Sequence, residues 1–168
     1  MRIVFLTAAV WAASLVPLAA KDENGMRVEV SRSTVSNDDE RGSGYSLSRV
    51  ERTMALKVLA KNISLKPFDV GQLEWTMIVE RWGVSGSSKY ERYKGTENFP
   101  PLKPGESSTL TVGQSSIGGY SFSRNYQDKL EAWKVIIRHA GADTITLVSG
   151  TAFERLNSKA RDAEKESP

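Results

Sequence analysis

His139 is the only imidazole in the chain, and there is no cysteine. A lone histidine on the same parity as Trp133 and Val135 closes a strand end more readily than it serves as a general base, and it has no second histidine with which to share a metal. The missing thiols remove disulfides, thiolate metal sites, Fe–S clusters, lipoprotein acylation and thiol nucleophiles together. Serines are plentiful, but Gly83-Val84-Ser85-Gly86 and Gly113-Gln114-Ser115-Ser116-Ile117 lack the G-x-S-x-G spacing of a nucleophile elbow. No lysine follows a serine by three positions, so the Ser/Lys signature is absent as well. Asp38, Asp39 and Glu40 cluster carboxylates of the kind a hard cation prefers, but they lack EF-hand spacing, and Arg41 follows directly. They read as part of a solvated loop over 36–44. Gly118-Gly119 precedes no Lys-Ser/Thr pair and opens no helix, so it is not a phosphate loop. A hydrolase with paired carboxylates ranks third among the readings, since nothing in the sequence places two carboxylates facing each other at glycosidase spacing. The expectation is a protein that is not an enzyme and takes no cofactor and no metal.

Two aromatic groupings suit binding better. Gly119-Tyr120-Ser121-Phe122-Ser123-Arg124-Asn125-Tyr126 has the composition of a recognition loop, because tyrosine offers amphipathic area at low entropic cost while Ser and Asn adapt. Tyr120, Phe122 and Tyr126 are its candidate contacts. Trp82, Tyr90 and Tyr93 could form a platform for a partner or a sugar ring. Elsewhere the basic residues are dispersed at alternate positions, as on a wet sheet face. Lys89, Arg92 and Lys94, interleaved with Tyr90 and Tyr93, come closest to a nucleic-acid pattern and fall short of it. The expected partner is therefore a protein, with a glycan as the alternative and no nucleic acid.

The elements that carry these residues are strands. The chain has 168 residues, 39% hydrophobic and 26% charged, with a formal net charge of +3, which suits one domain with a real core. From Arg49 to Asn62, Val50, Met54, Leu56, Val58 and Ala60 share one parity, and Arg49, Glu51, Thr53, Lys57 and Lys61 share the other. That alternation predicts a strand with one face in a core and one in water. Met26 to Val35, Leu73 to Trp82, Leu130 to His139 and Thr144 to Phe153 read the same way, with Trp75 and Trp133 as core anchors. Lys89 to Thr96 suits a polar edge strand, and Thr109 to Val112 a short one. The Gly/Ser/Tyr stretch Gly113 to Asn125 reads as a loop. Seven or eight antiparallel strands without an interior helix predict an all-β sandwich.

Met1-Arg2, the apolar run Ile3 to Ala20 and the abrupt polar switch at Lys21 describe a signal peptide. Cleavage after Ala20 is expected, and Pro17 shortens any membrane-spanning helix, so the membrane enters only if this segment is retained. The predicted organisation is a signal helix over 1–20, a sandwich over 21–156 and a flexible charged tail over 157–168. Export would place the chain in the periplasm, at the outer membrane or on the cell surface.

Three segments together resemble the immunoglobulin-like domains of secreted bacterial proteins. Trp75 lies in the third major strand, where such sandwiches bury a tryptophan. Leu102-Lys-Pro-Gly-Glu106 before Thr109-Leu-Thr-Val112 is similar to their L-x-P-G-E lead-in to a strand. Trp133-Lys-Val-Ile-Ile137, Ala140-Gly-Ala-Asp143 and Thr144-Ile-Thr-Leu147 resemble their last hairpin. The likeness spans roughly Val28 to Phe153. With the leader, it extends to small immunoglobulin-like proteins of pilus loci, related in fold to the globular domain of archaeal type IV pilins. It implies a secreted, non-enzymatic module that makes protein–protein contacts in the cell envelope, associated with a type IV pilus-like surface apparatus.

Overall fold

The computed structural model describes residues 19–40, 49–82, 88–120, 127–139 and 144–166. Eight strands are followed by one helix: β1 (Ala19–Glu23), β2 (Met26–Glu40), β3 (Arg49–Asn62), β4 (Gly71–Arg81), β5 (Lys89–Phe99), β6 (Ser107–Tyr120), β7 (Lys129–His139), β8 (Ile145–Val148) and α1 (Phe153–Glu166). The strands form two four-stranded antiparallel sheets, β1-β2-β3-β6 and β5-β4-β7-β8. The chain changes sheet after β3, β5 and β6, so each sheet mixes local hairpins with distant partners.

Alternation builds the core as expected. Val28 and Val30 on β2, and Leu56, Val58 and Ala60 on β3, are fully buried. They meet Leu73, Met77 and Val79 on β4 and Trp133, Val135 and Ile137 on β7, forming one cluster between the sheets. The inward parity is reset at a bulge in β7: Ile78 lies opposite Ala132 and Val79 opposite Leu130, leaving Glu131 as the extra residue. Trp75 packs on the cluster without being fully buried. Its ring fits because two glycines leave room for it. A Cβ on Gly95 would come within 2.5 Å of the Trp75 ring, and one on Gly113 would meet that ring and the Met77 sulfur.

Several expectations are corrected. The predicted loop over 36–44 is strand through Glu40, with Asn37 to Glu40 laddered against Arg49 to Arg52. The predicted loop beginning at Gly113 is strand through Tyr120. Gly113, at φ 67°, makes a bulge, with Met54 opposite Ser115 and Leu56 opposite Val112. Turn-forming residues are held extended here because β3 supplies a hydrogen-bonding partner along its whole length. The predicted strand to Phe153 stops at Val148, and in place of a flexible tail there is helix α1. Phe153, Leu156 and Ala160 share one helical face and bury against Ile78 and Ala132 on the outer face of the second sheet. Arg92 clamps the helix through Glu164, with Nε and Nη2 donating at 3.1 and 2.7 Å. Glu154 in the first turn and Lys165 in the last agree with the helix dipole. The expected signal helix lies outside the described residues up to position 18, and Ala19 and Ala20 open β1 opposite Val30 and Glu29.

Candidate functional site at one end of the sandwich

Strand register brings three connections to the same end. Glu40 is opposite Arg49, Arg49 opposite Tyr120, Arg81 opposite Lys89 and Glu80 opposite Lys129. The connections from β2 to β3, β4 to β5 and β6 to β7 therefore all leave from there.

Arg81 is the last residue of β4 and continues the inward parity of Leu73, Met77 and Val79, so its guanidinium enters the gap between the sheets. Nε donates to Glu91 Oε2 at 2.6 Å, and Nη1 donates to Asp128 Oδ2 at 2.8 Å and to the Ser116 carbonyl at 2.5 Å. Nη2 donates to the Tyr93 hydroxyl at 2.7 Å, and the Tyr93 hydroxyl donates to Glu91 at 2.7 Å. The guanidinium carbon also sits 5.9 Å from the Tyr93 ring centroid. Asp128 completes the arrangement by accepting the Trp82 N–H at 2.9 Å and the Gly118 N–H at 3.2 Å. One carboxylate thus ties the roots of two connections to the end of β4. The Arg81 and Asp128 side chains are only 24% and 16% exposed, so water screens the pair weakly.

The titration behaviour follows from these contacts. Burial would lower the Arg81 pKa, but hydrogen bonds to Glu91, Asp128 and Tyr93 outweigh it and raise the pKa above its ordinary value. Burial would raise the Glu91 carboxyl, but hydrogen bonds from Tyr93 and Arg81 outweigh it and hold it below its ordinary value.

Beside this network lies a cleft of about 300 Å³. Its walls combine the exposed cations Arg32, Arg52 and Lys129 with the more sheltered Met54, Ile117 and Leu130. Asp128 is common to the cleft and the network. With Glu131 also in its lining, the cleft presents both signs of charge beside apolar side chains.

The structure divides the sequence-derived candidates. Trp82 is half-buried at this end. Tyr93 faces inward as part of the Arg81 network, whereas Tyr90 faces outward beneath α1, with Lys159 Nζ 5.5 Å from its ring and its hydroxyl donating to Glu80 at 3.4 Å. Burial, then the Glu80 charge, raises the Tyr90 pKa. An odd interval along a strand puts Tyr90 and Tyr93 on opposite faces, so they do not form a stacking platform with Trp82. Tyr120 ends β6 at the correct end of the sandwich, but its side chain, together with Phe122 and Tyr126, lies outside the described residues. His139 sits opposite Gly71 at the other end. Asp38, Asp39 and Glu40 lie in the β2–β3 ladder, and no group of three His, Asp or Glu among the described residues could hold a metal ion.

Sequence reasoning missed Arg81 and Asp128. A signal for Arg81 was available: an arginine continues the core parity of its strand, and Glu91 and Tyr93 share one parity on the neighbouring strand. Asp128 precedes β7 and carries no such signal.

No family model matches the chain, and no curated protein matches it. Among solved structures, one from Akkermansia muciniphila is similar at 13% identity and TM-score 0.33, covering 82% of this chain and 78% of that one. The Northeast Structural Genomics Consortium target SoR45 is similar at 12% identity and TM-score 0.34, covering 74% and 82%. A β-glucosidase from Listeria innocua in complex with gluconolactone is similar at 18% identity and TM-score 0.25, covering 72% of this chain and 16% of the enzyme. At TM-scores this low, the likenesses decide neither fold family nor function. Among the described residues, no helix is long and apolar enough to cross a membrane.

Proposed function

We propose that the chain is an exported, non-enzymatic immunoglobulin-like module that binds a protein partner in the cell envelope, in the setting of a pilus-like surface assembly. The strand order supports the fold assignment: β2-β3-β6 against β5-β4-β7-β8 parallels the A-B-E and C′-C-F-G order of immunoglobulin-like sandwiches, with Trp75 on the strand equivalent to C. The contact surface is the end of the sandwich built around Asp128 and the adjacent cleft. The observation that carries the reading is the double tether at Asp128, which fixes Trp82 and Gly118 to Arg81 and so pre-organises this end. A contact surface needs fixed shape and charge, and the bonds to Asp128 supply both at this end.

The test is photo-crosslinking in the producing cells, with the photoreactive residue at Arg52 or Gln127 in the cleft and at Val148 on β8 as control. A discrete protein adduct from the cleft positions, lost on Arg32→Glu, supports the reading. Adducts of equal yield from Val148, or none from the cleft, refute it.

A further inference from the structure

The opposite end of the sandwich is knitted together unusually thoroughly. Asn62 is fully buried there, and its Nδ2 donates to the carbonyls of Lys66 at 2.8 Å and Leu102 at 3.0 Å. Its Oδ1 accepts the Ser64 N–H at 2.9 Å, and its own backbone bonds Gly105 and Glu106, each at 2.9 Å. Ile63 N–H reaches the Gly25 carbonyl at 2.8 Å, Lys66 N–H reaches Ser64 Oγ at 3.2 Å, and Phe68 and Leu102 exchange backbone bonds at 2.9 and 3.0 Å. Three connections, β1–β2, β3–β4 and β5–β6, thus form one rigid unit.

This rigid unit holds apolar side chains in water. Leu65 is 96% exposed and Val70 59%, the two most exposed large hydrophobic residues among those described, with Ile63 nearby at 45%. Three exposed lysines, Lys61, Lys66 and Lys103, accompany them. The acids of this end are Asp22 and Glu23, paired with Arg27 and Lys21, together with Asp69 and Glu106, and the Glu106 carboxylate accepts the Lys103 N–H at 2.8 Å. Leu65, Val70 and Ile63 are all carried by the β3–β4 connection that the buried asparagine organises.

We infer that this tip inserts shallowly into an anionic lipid surface. Composition favours lipid over a protein pocket. Protein hot spots are built from Trp, Tyr and Arg, with Leu and Val under-represented and Lys depleted. This tip exposes aliphatic side chains and lysines, the pairing that binds an anionic interface by partitioning aliphatics while the ammonium groups stay with the headgroups. The backbone also fits, because the paired amides and carbonyls around Asn62 can enter a low-dielectric layer without losing hydrogen bonds. This contact is separate from the leader segment and does not depend on the protein-contact reading of the other end.

The absence of cysteine makes the test clean. The full chain is labelled with an environment-sensitive fluorophore through Leu65→Cys, or through Val148→Cys as control. It is then mixed with vesicles of phosphatidylcholine containing about one third phosphatidylglycerol, a composition chosen for surface charge. Position 65 is expected to gain several-fold in emission and to be quenched by spin-labelled lipid, while position 148 stays unchanged. Lys66→Gln in the labelled chain is expected to lower the partition coefficient about fivefold. No gain at position 65, or equal gain at both positions, overturns the inference. Shielding of position 65 by a protein in the absence of vesicle binding overturns it as well.

Discussion

Asp128 is the side chain on which the candidate site most depends, and its worth can be measured. Asp128→Ala removes three accepted hydrogen bonds, from Arg81 at 2.8 Å, Trp82 N–H at 2.9 Å and Gly118 N–H at 3.2 Å. It also leaves Arg81 partly buried with one carboxylate in place of two. Bonds to a charged acceptor and the loss of one partner from a sheltered ion pair together predict a destabilisation of about 2–4 kcal/mol. For a domain of this size that is a fall of about 5–12 °C in Tm. Arg81→Met is expected to cost a similar amount, because Glu91 and Asp128 then face each other without their shared cation. The informative quantity is the coupling. Urea unfolding, followed by far-ultraviolet circular dichroism, is measured for wild type, each single variant and the double variant. The double variant is expected to be more stable than the sum of the singles by about 1–2 kcal/mol, since Trp82 and Gly118 account for the rest of the Asp128 effect. If the two substitutions add to within about 0.5 kcal/mol, the residues do not act as a unit and the pre-organised site is refuted.

Glu91 titrates below its ordinary value of 4.5, so its share of stability is present above that pH and disappears as pH falls through the lowered value. The urea midpoints of wild type and Glu91→Gln should accordingly differ most near neutrality and converge under acid conditions; a constant gap would contradict this. Gly95→Val forces a side chain into the Trp75 ring and is expected to cost about 1–3 kcal/mol by overpacking, read from the urea midpoint with unchanged slope. Phe153→Ala should release α1 at a cost of about 2–4 kcal/mol, seen as loss of helical circular dichroism and new proteolysis in residues 153–166 while the strands persist.

What could be read in advance followed a simple periodicity. Val28 and Val30, Leu56, Val58 and Ala60, Leu73, Met77 and Val79, and Trp133, Val135 and Ile137 declare their faces by alternation, and these residues point inward as expected. Strand length was less legible, because it depends on a partner. Ser115 to Tyr120 resembles a loop in composition and becomes strand only because β3 runs alongside it. The helix was hidden in charged sequence: Phe153, Leu156 and Ala160 are three apolar positions among many polar ones, and their target, Ile78 and Ala132, sits on a face that reads as wet. At the site, Tyr93 takes part in chemistry other than ring stacking. It is a hydrogen-bonding member of an ion network, and the parity it shares with Glu91 was the available clue. Asp128 acts through backbone N–H groups of other segments, a role that side-chain type and spacing do not encode.

The two central strands each carry one near and one far neighbour. β3 closes a hairpin with β2 but finds β6 only after Ser107, and β4 pairs locally with β5 yet waits for β7 and its Val135 opposite Trp75. Neither sheet is complete until segments tens of residues apart have met, and no disulfide draws them together. Non-local β pairing of this kind folds on the millisecond-to-second scale, with loop-closure entropy lost before the distant contacts form. In a chain proposed to be exported, the strand order has a consequence: neither sheet can close until β6 and β7 have emerged on the far side of the membrane.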